Sequence, residues 1–157
     1  MNKLSMPDVG SPAPPFSGST QSGDTVSLED FHGKKFALYF YPRDNTSGCT
    51  KQACNLRDNY ESLGHEGIAI VGVSDDSVES HAKFAADKTL PFPLIADPER
   101  TILNSYGVYG EKNMYGRKYM GTKRITFLID EDQIIRMVIK KPKVGDHAAE
   151  IIRGFGK

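Results

Sequence analysis

Cys49 and Cys54 are the only cysteines in the 157-residue chain. A thiol becomes a strong nucleophile or metal ligand once it ionises. In a reducing compartment two cysteines point to redox or metal chemistry before a permanent staple. The bland alternative is a pair of buried, inert thiols. The flanks of Cys49 argue against it. The apolar run 36–41 precedes it, Pro42 closes that run, and residues 43–48 are turn formers. The pattern predicts a strand, a turn and then a helix starting near Cys49. A helix N-terminus offers free N–H groups and a positive dipole end, and both favour a thiolate. The same donors can hold an oxygen at the sulfur. Thr46 places a hydroxyl three residues before Cys49, able to donate and accept. Pro42 forms a rigid corner without an N–H and can wall the pocket from water. Each alone would read as a turn residue or as punctuation.

The positioning elements follow from periodicity. Residues 36–41, 68–73 and 125–129 are continuous apolar runs, the mark of strands covered on both faces. Residues 134–140 read as a fourth, antiparallel strand. Cys49, Ala53, Leu56, Tyr60 and Leu63 share one helical face, with Gly64 as the stop. Cys54 falls on a flank nearer solvent. A second helix is predicted from Asp76 and Glu79 to about Asp87, with Val78, Ala82 and Ala85 inward. A third starts at Asp97-Pro98 and stops at Gly107. Asp146 caps a final one reaching Phe155. Residues 1–24, rich in Pro, Ser and Gly, read as an extended arm, and residues 25–28 as a short edge strand or hairpin. Residues 108–122 read as a loop or irregular hairpin, and residues 39–41 as core. Two strands joined by a helix imply a right-handed parallel crossover. The expected fold is α/β and thioredoxin-like: a mixed sheet flanked by helices, with an N-terminal extension, in one domain over residues 1–157.

Composition excludes other classes. Twenty basic and twenty acidic residues cancel, which argues against nucleic-acid binding. No apolar run approaches a membrane span, and the first residues lack an apolar signal segment. A cytoplasmic location is expected.

The pattern Pro42-x-x-x-Thr46-x-x-Cys49 resembles that of the peroxiredoxins, and within them the bacterioferritin-comigratory, or Q-type, branch. Residues 48–58 (GCTKQACNLRD), 71–75 (VGVSD), 92–98 (FPLIADP) and 124–130 (RITFLID) match the branch in order. The resemblance implies Cys49 as peroxidatic and Cys54 as resolving cysteine. It implies Thr46 and Pro42 as the residues that orient and shield the peroxide. Arg124 takes the place of the guanidinium that holds the thiolate and polarises the substrate. Arginine suits that role, being always charged and a fixed fork of donors. Ser47 stands where the branch usually has proline, and the turn after Asp130 lacks its usual glycine.

The implied activity is a thiol peroxidase acting on hydrogen peroxide or alkyl hydroperoxides and recycled by a thioredoxin-type dithiol, with no metal, haem or flavin. The internal cysteine pair removes the need for a second subunit and favours a monomer. The alternative reading is a redox sensor or redox-regulated binding protein using the same pair. A thioredoxin-like reductase would carry C-x-x-C instead, and a zinc site needs two more ligands than the cysteines supply. His32, His65, His81 and His147 are scattered and read as surface or satisfied histidines.

Overall fold

The computed structural model describes residues 6–156, so the first residues of the expected arm fall outside it. The rest of the arm is partly sheet. Ser17–Thr20 (β1) pairs with Thr25–Ser27 (β2), and a 3-10 turn spans Leu28–Phe31. Earlier in the arm, the Gly10 and Ala13 N–H groups donate to Ile135 and Gln133. Lys35–Phe40 (β3) follows, as its apolar run requires.

The helix expected from Cys49 to Leu63 is two helices, Ser47–Asp58 (α1) and Tyr60–His65 (α2). It opens two residues before Cys49. Asn59 breaks it: its side-chain amide donates to the Asn55 carbonyl at 2.8 Å, which its own N–H also reaches. A side chain that satisfies backbone groups competes with continued helix. The chain leaves α2 through Gly67 in the left-handed region, rather than at Gly64.

Ile68–Ser74 (β4) leads to Val78–Lys88 (α3). Ser77, not Asp76, caps α3 by accepting from the Ser80 N–H. The inward face is His81, Phe84 and Ala85; Val78 and Ala82 are only half-buried. Leu94–Ala96 (β5) precedes Thr101–Ser105 (α4), which begins three residues after Pro98. Asp97 instead accepts from the Leu103 N–H within α4. The stretch expected as a loop or irregular hairpin forms a regular hairpin, Tyr109–Met114 (β6) and Arg117–Thr122 (β7). Its two-residue turn, Tyr115-Gly116, has positive φ at both positions, the primed geometry that suits strand twist. Ile125–Ile129 (β8), Ile135–Ile139 (β9) and His147–Gly154 (α5) complete the chain. In the turn after Asp130, Gln133 takes the left-handed position and donates to the Leu28 carbonyl.

Seven strands form one mixed sheet in the order β2-β1-β5-β4-β3-β8-β9, with β6 and β7 apart. β3, β4 and β5 run parallel, and β8 is antiparallel to β3. This is the expected thioredoxin-like α/β plan. Alternation along β3 divides the core. Phe36, Leu38 and Phe40 face one layer with Leu103 and Tyr106. Ala37, Tyr39 and Tyr41 face the other, with Cys49, Ala53, Leu56, Phe84 and Ile151.

His147 joins α5 to β8: Nδ1 donates to Glu150 at 2.9 Å and Nε2 accepts from the Thr126 hydroxyl at 2.8 Å. Burial holds its pKa below 6.5, against the pull of Glu150. The folded state thus disfavours the charged ring. Its stabilising contribution is present above about pH 6.5, the unfolded value, and is lost as pH falls through the lower folded value. Melting temperature should therefore drop by a few degrees from pH 7.5 to 5.5, and His147→Gln should flatten that slope. Equal slopes in the two proteins would contradict the assignment.

Candidate active site

Pro42 ends β3 and turns the chain toward α1. Asn45 adopts φ 67°, which asparagine tolerates, and brings Thr46 to the N-cap of α1. Thr46 donates to the Arg43 carbonyl at 3.1 Å. Ser47 is the first helical residue, a position where proline would be pre-organised. Cys49 lies in the first turn, 1% exposed, packed in the layer with Tyr39 and Tyr41. Cys54 is half-buried on the same helix, and both cysteines are free thiols. Five residues of helix separate them by about 7.5 Å of rise and about 140° of rotation. The structure does not bring them together.

Arg124 leads into β8 and reaches across to the first turn of α1. Its Nη1 donates to Gln52 Oε1 at 2.7 Å. A Cβ on Gly48 would lie 3.0 Å from Nη2, so any larger residue before Cys49 would press on the guanidinium. Arg124 therefore flanks Cys49 from both sides of one helical turn. Gln52 was not singled out by sequence reasoning. The C-x-x-Q spacing, which puts it on the turn above Cys49, was the signal. Gln52 is fully buried and its Nε2 has no partner among the described residues. The Tyr39 hydroxyl is likewise buried and unpaired. Burial pushes the Tyr39 pKa well up, and the Cys49 charge adds to it, so Tyr39 stays a neutral donor.

Pro42 and Thr46 line a cavity of about 320 Å³ in front of the helix start. Tyr119 and Met120 of β7 form its opposite wall, with Arg100 and Lys112. Thus Pro42 and Thr46 share this cavity, which Cys49 does not line, while Arg124 meets α1 at Gly48 and Gln52.

A second missed group anchors the loop. The Asp44 carboxylate accepts from the Tyr41 hydroxyl at 2.6 Å, His81 Nδ1 at 2.7 Å and Ser80 Oγ at 2.8 Å. Burial raises the Asp44 pKa, but these donors outweigh it and hold the carboxyl below its usual value. His81 Nε2 faces the Ile95 carbonyl at 3.1 Å. Asp44, Asp76 and His81 could converge on a metal ion, with ligand atoms within 4.8 Å of one another. Their atoms are instead used internally: Asp76 Oδ2 accepts from the Asp44 N–H and the Ser74 hydroxyl. Asp44 and His81 are 37 residues apart, and no local pattern marks the pair.

The structure thus buries Cys49 at a helix start and holds Arg124 against Gly48 and Gln52 of the same helix. The sequence pattern of the AhpC/TSA family matches residues 9–138. The chain belongs to the AhpC/TSA family. This peroxiredoxin is 42% identical to peroxiredoxin Bcp of Bacillus subtilis over 146 residues, covering 93% of each chain. PrxQ of Xylella fastidiosa has a similar structure, with TM-score 0.89, 28% identity and 96% of both chains covered. The bacterioferritin comigratory protein of Xanthomonas campestris, solved in trapped intermediate and ligand complexes that address its alkyl peroxide reduction, matches at TM-score 0.84 and 31% identity. That match covers 93% of this chain and 96% of the other. The AhpC/TSA member described here is a thiol peroxidase, an oxidoreductase with a thioredoxin-like fold. No helix among its described residues is long and apolar enough to cross a membrane.

Proposed function

We propose that this peroxiredoxin reduces hydrogen peroxide and alkyl hydroperoxides through Cys49 and regenerates it through Cys54. The observation that carries this is Cys49 in the first turn of α1 with Arg124 bonded to Gln52 on the next turn. The Cys49 thiolate attacks one peroxide oxygen. The O–O bond breaks, an S–O bond forms, and water or an alcohol leaves with a proton. Arg124 and the N–H groups of α1 hold the oxygens as charge moves onto the leaving one. The resulting sulfenic acid condenses with the Cys54 thiol to a disulfide and releases water. Exchange with a thioredoxin-type dithiol restores both thiols and oxidises that partner.

A disulfide needs Cα atoms within about 7 Å and converging Cβ vectors. Cys49 and Cys54 on intact α1 do not meet this, so α1 must unwind after oxidation. The unpaired Gln52 Nε2 favours that step, because a buried unmet donor costs about 1–3 kcal/mol that water relieves on exposure. Because both sulfurs come from one chain, a monomer suffices. A cysteine pair that must cycle between thiols and disulfide suits a reducing compartment such as the cytoplasm.

The test is one equivalent of hydrogen peroxide followed by peptide mapping and thioredoxin-coupled turnover. The wild type should yield the 49–54 disulfide and recycle. Cys54→Ser should react once, stop as the Cys49 sulfenic acid and lose thioredoxin-driven turnover by at least tenfold. Full recycling of Cys54→Ser would assign the resolving role elsewhere.

A further inference from the structure

We infer that this protein carries an anion site beside Arg124, suited to a small multivalent phosphate such as pyrophosphate. Arg124 also lines a cavity of about 620 Å³ whose lining does not include Cys49. Lys112, Lys123, Arg124, Lys140 and Lys141 line it, and no carboxylate does among the described residues. The chain has twenty basic and twenty acidic residues, so five cations around one cavity is a local segregation of charge. None of the five takes part in an ion pair among the described residues. Arg124 and Lys112 bond only neutral oxygens, those of Gln52 and the Thr122 backbone.

Like charges held around a concavity repel one another, and a low-dielectric wall strengthens the field there. Ile125 supplies part of such a wall. Three elements converge to build the site: β6 brings Lys112, the lead into β8 brings Lys123 and Arg124, and the end of β9 brings Lys140 and Lys141. A compact polyanion offsets that repulsion with several charge-assisted hydrogen bonds at once. A single negative charge meets only part of the cluster.

The site has a consequence that rests on the peroxidatic reading. Arg124 serves both the anion and Cys49, so a bound polyanion draws charge away from the α1 turn. Lys112 also lines the cavity at Pro42 and Thr46, which makes the two spaces neighbours. Pyrophosphate should therefore slow the oxidation of Cys49.

The test pairs calorimetric titration of pyrophosphate with single-turnover oxidation by hydrogen peroxide, both at fixed ionic strength. Wild type should bind saturably, and Lys140→Gln/Lys141→Gln should bind at least tenfold more weakly. Both lysines are exposed, so the double variant should fold and, without pyrophosphate, react at the wild-type rate. Saturable binding lost in the double variant establishes the site whatever the fate of Cys49. No saturable binding, or equal binding by the two proteins, overturns it. An oxidation rate indifferent to bound pyrophosphate would leave the site and remove its link through Arg124. ATP in place of pyrophosphate tests whether a nucleotide is accepted; binding only of the free polyphosphate would restrict the site to that source.

Discussion

Arg124→Gln should slow the oxidation of Cys49 by peroxide about a hundredfold to a thousandfold, the usual loss when one preorganised donor to a developing oxyanion is removed. Cys49→Ser should abolish it. Glutamine keeps polar donors on a shorter side chain and loses the charge and the fork. The fork matters in this geometry. One arm is committed to Gln52 at 2.7 Å, and the other lies over Gly48, where a Cβ would come within 3.0 Å. The arm over Gly48 is the one free to meet an oxygen at the sulfur. Arg124→Lys restores the charge as a single point and should recover only part of the rate. The measurement is thiol loss in a single turnover at several peroxide concentrations, with circular dichroism confirming the fold. An Arg124→Gln rate within threefold of wild type would remove Arg124 from the chemistry.

The second large effect concerns the loop before the helix. Asp44→Asn should destabilise the protein by about 1–3 kcal/mol, the range for leaving a buried hydrogen-bonding group unmet. His81 explains why. One of its ring nitrogens faces the Asp44 carboxylate and the other the Ile95 carbonyl, and both are acceptors only. The ring and the carboxylate are therefore each other's partners. The side chain of His81 is fully buried and that of Asp44 is 4% exposed, so water cannot take over. Asparagine puts an amide where the carboxylate accepted from Tyr41, Ser80 and His81, and leaves part of that set unmet. His81→Leu strands the Asp44 carboxylate, with a loss of similar size. Replacing both residues together by apolar ones should cost less than the sum, as expected of directly coupled partners. Denaturant unfolding of the four proteins checks this. A midpoint for Asp44→Asn equal to wild type would contradict it. Because Asp44 lies between Pro42 and Thr46, the same variant should also blunt peroxide reactivity.

The parts of this molecule that were legible in advance are those governed by short-range pattern. Residues 36–41, 68–73 and 125–129 announce buried strands because both faces are covered and no charged residue interrupts them. Cys49 stands out because its type and its place at a helix start are read from adjacent residues, and the spacing to Pro42 and Thr46 supplies the resemblance. Three things were hidden for definite reasons. The break at Asn59 is invisible because apolar spacing continues through Tyr60 and Leu63 on either side of it. The 109–122 hairpin is exposed on both faces for much of its length, so its strands carry no alternation to detect. The Asp44–His81 pair depends on β3 and α3 meeting in space, and neither residue has a local reason to be buried.

The break at Asn59 also sets the scale of the redox cycle. Because α1 and α2 are separate helices, α1 is a cooperative unit of its own, and its opening need not propagate into the Leu63 anchor of α2. Twelve residues, Ser47–Asp58, carry both thiols and end where α2 begins. The protein is thus built as a fuse in a fixed housing. If Cys54 resolves Cys49 as proposed, oxidation spends order in one short segment, while the seven-stranded sheet and the hairpin wall keep their places for the next substrate.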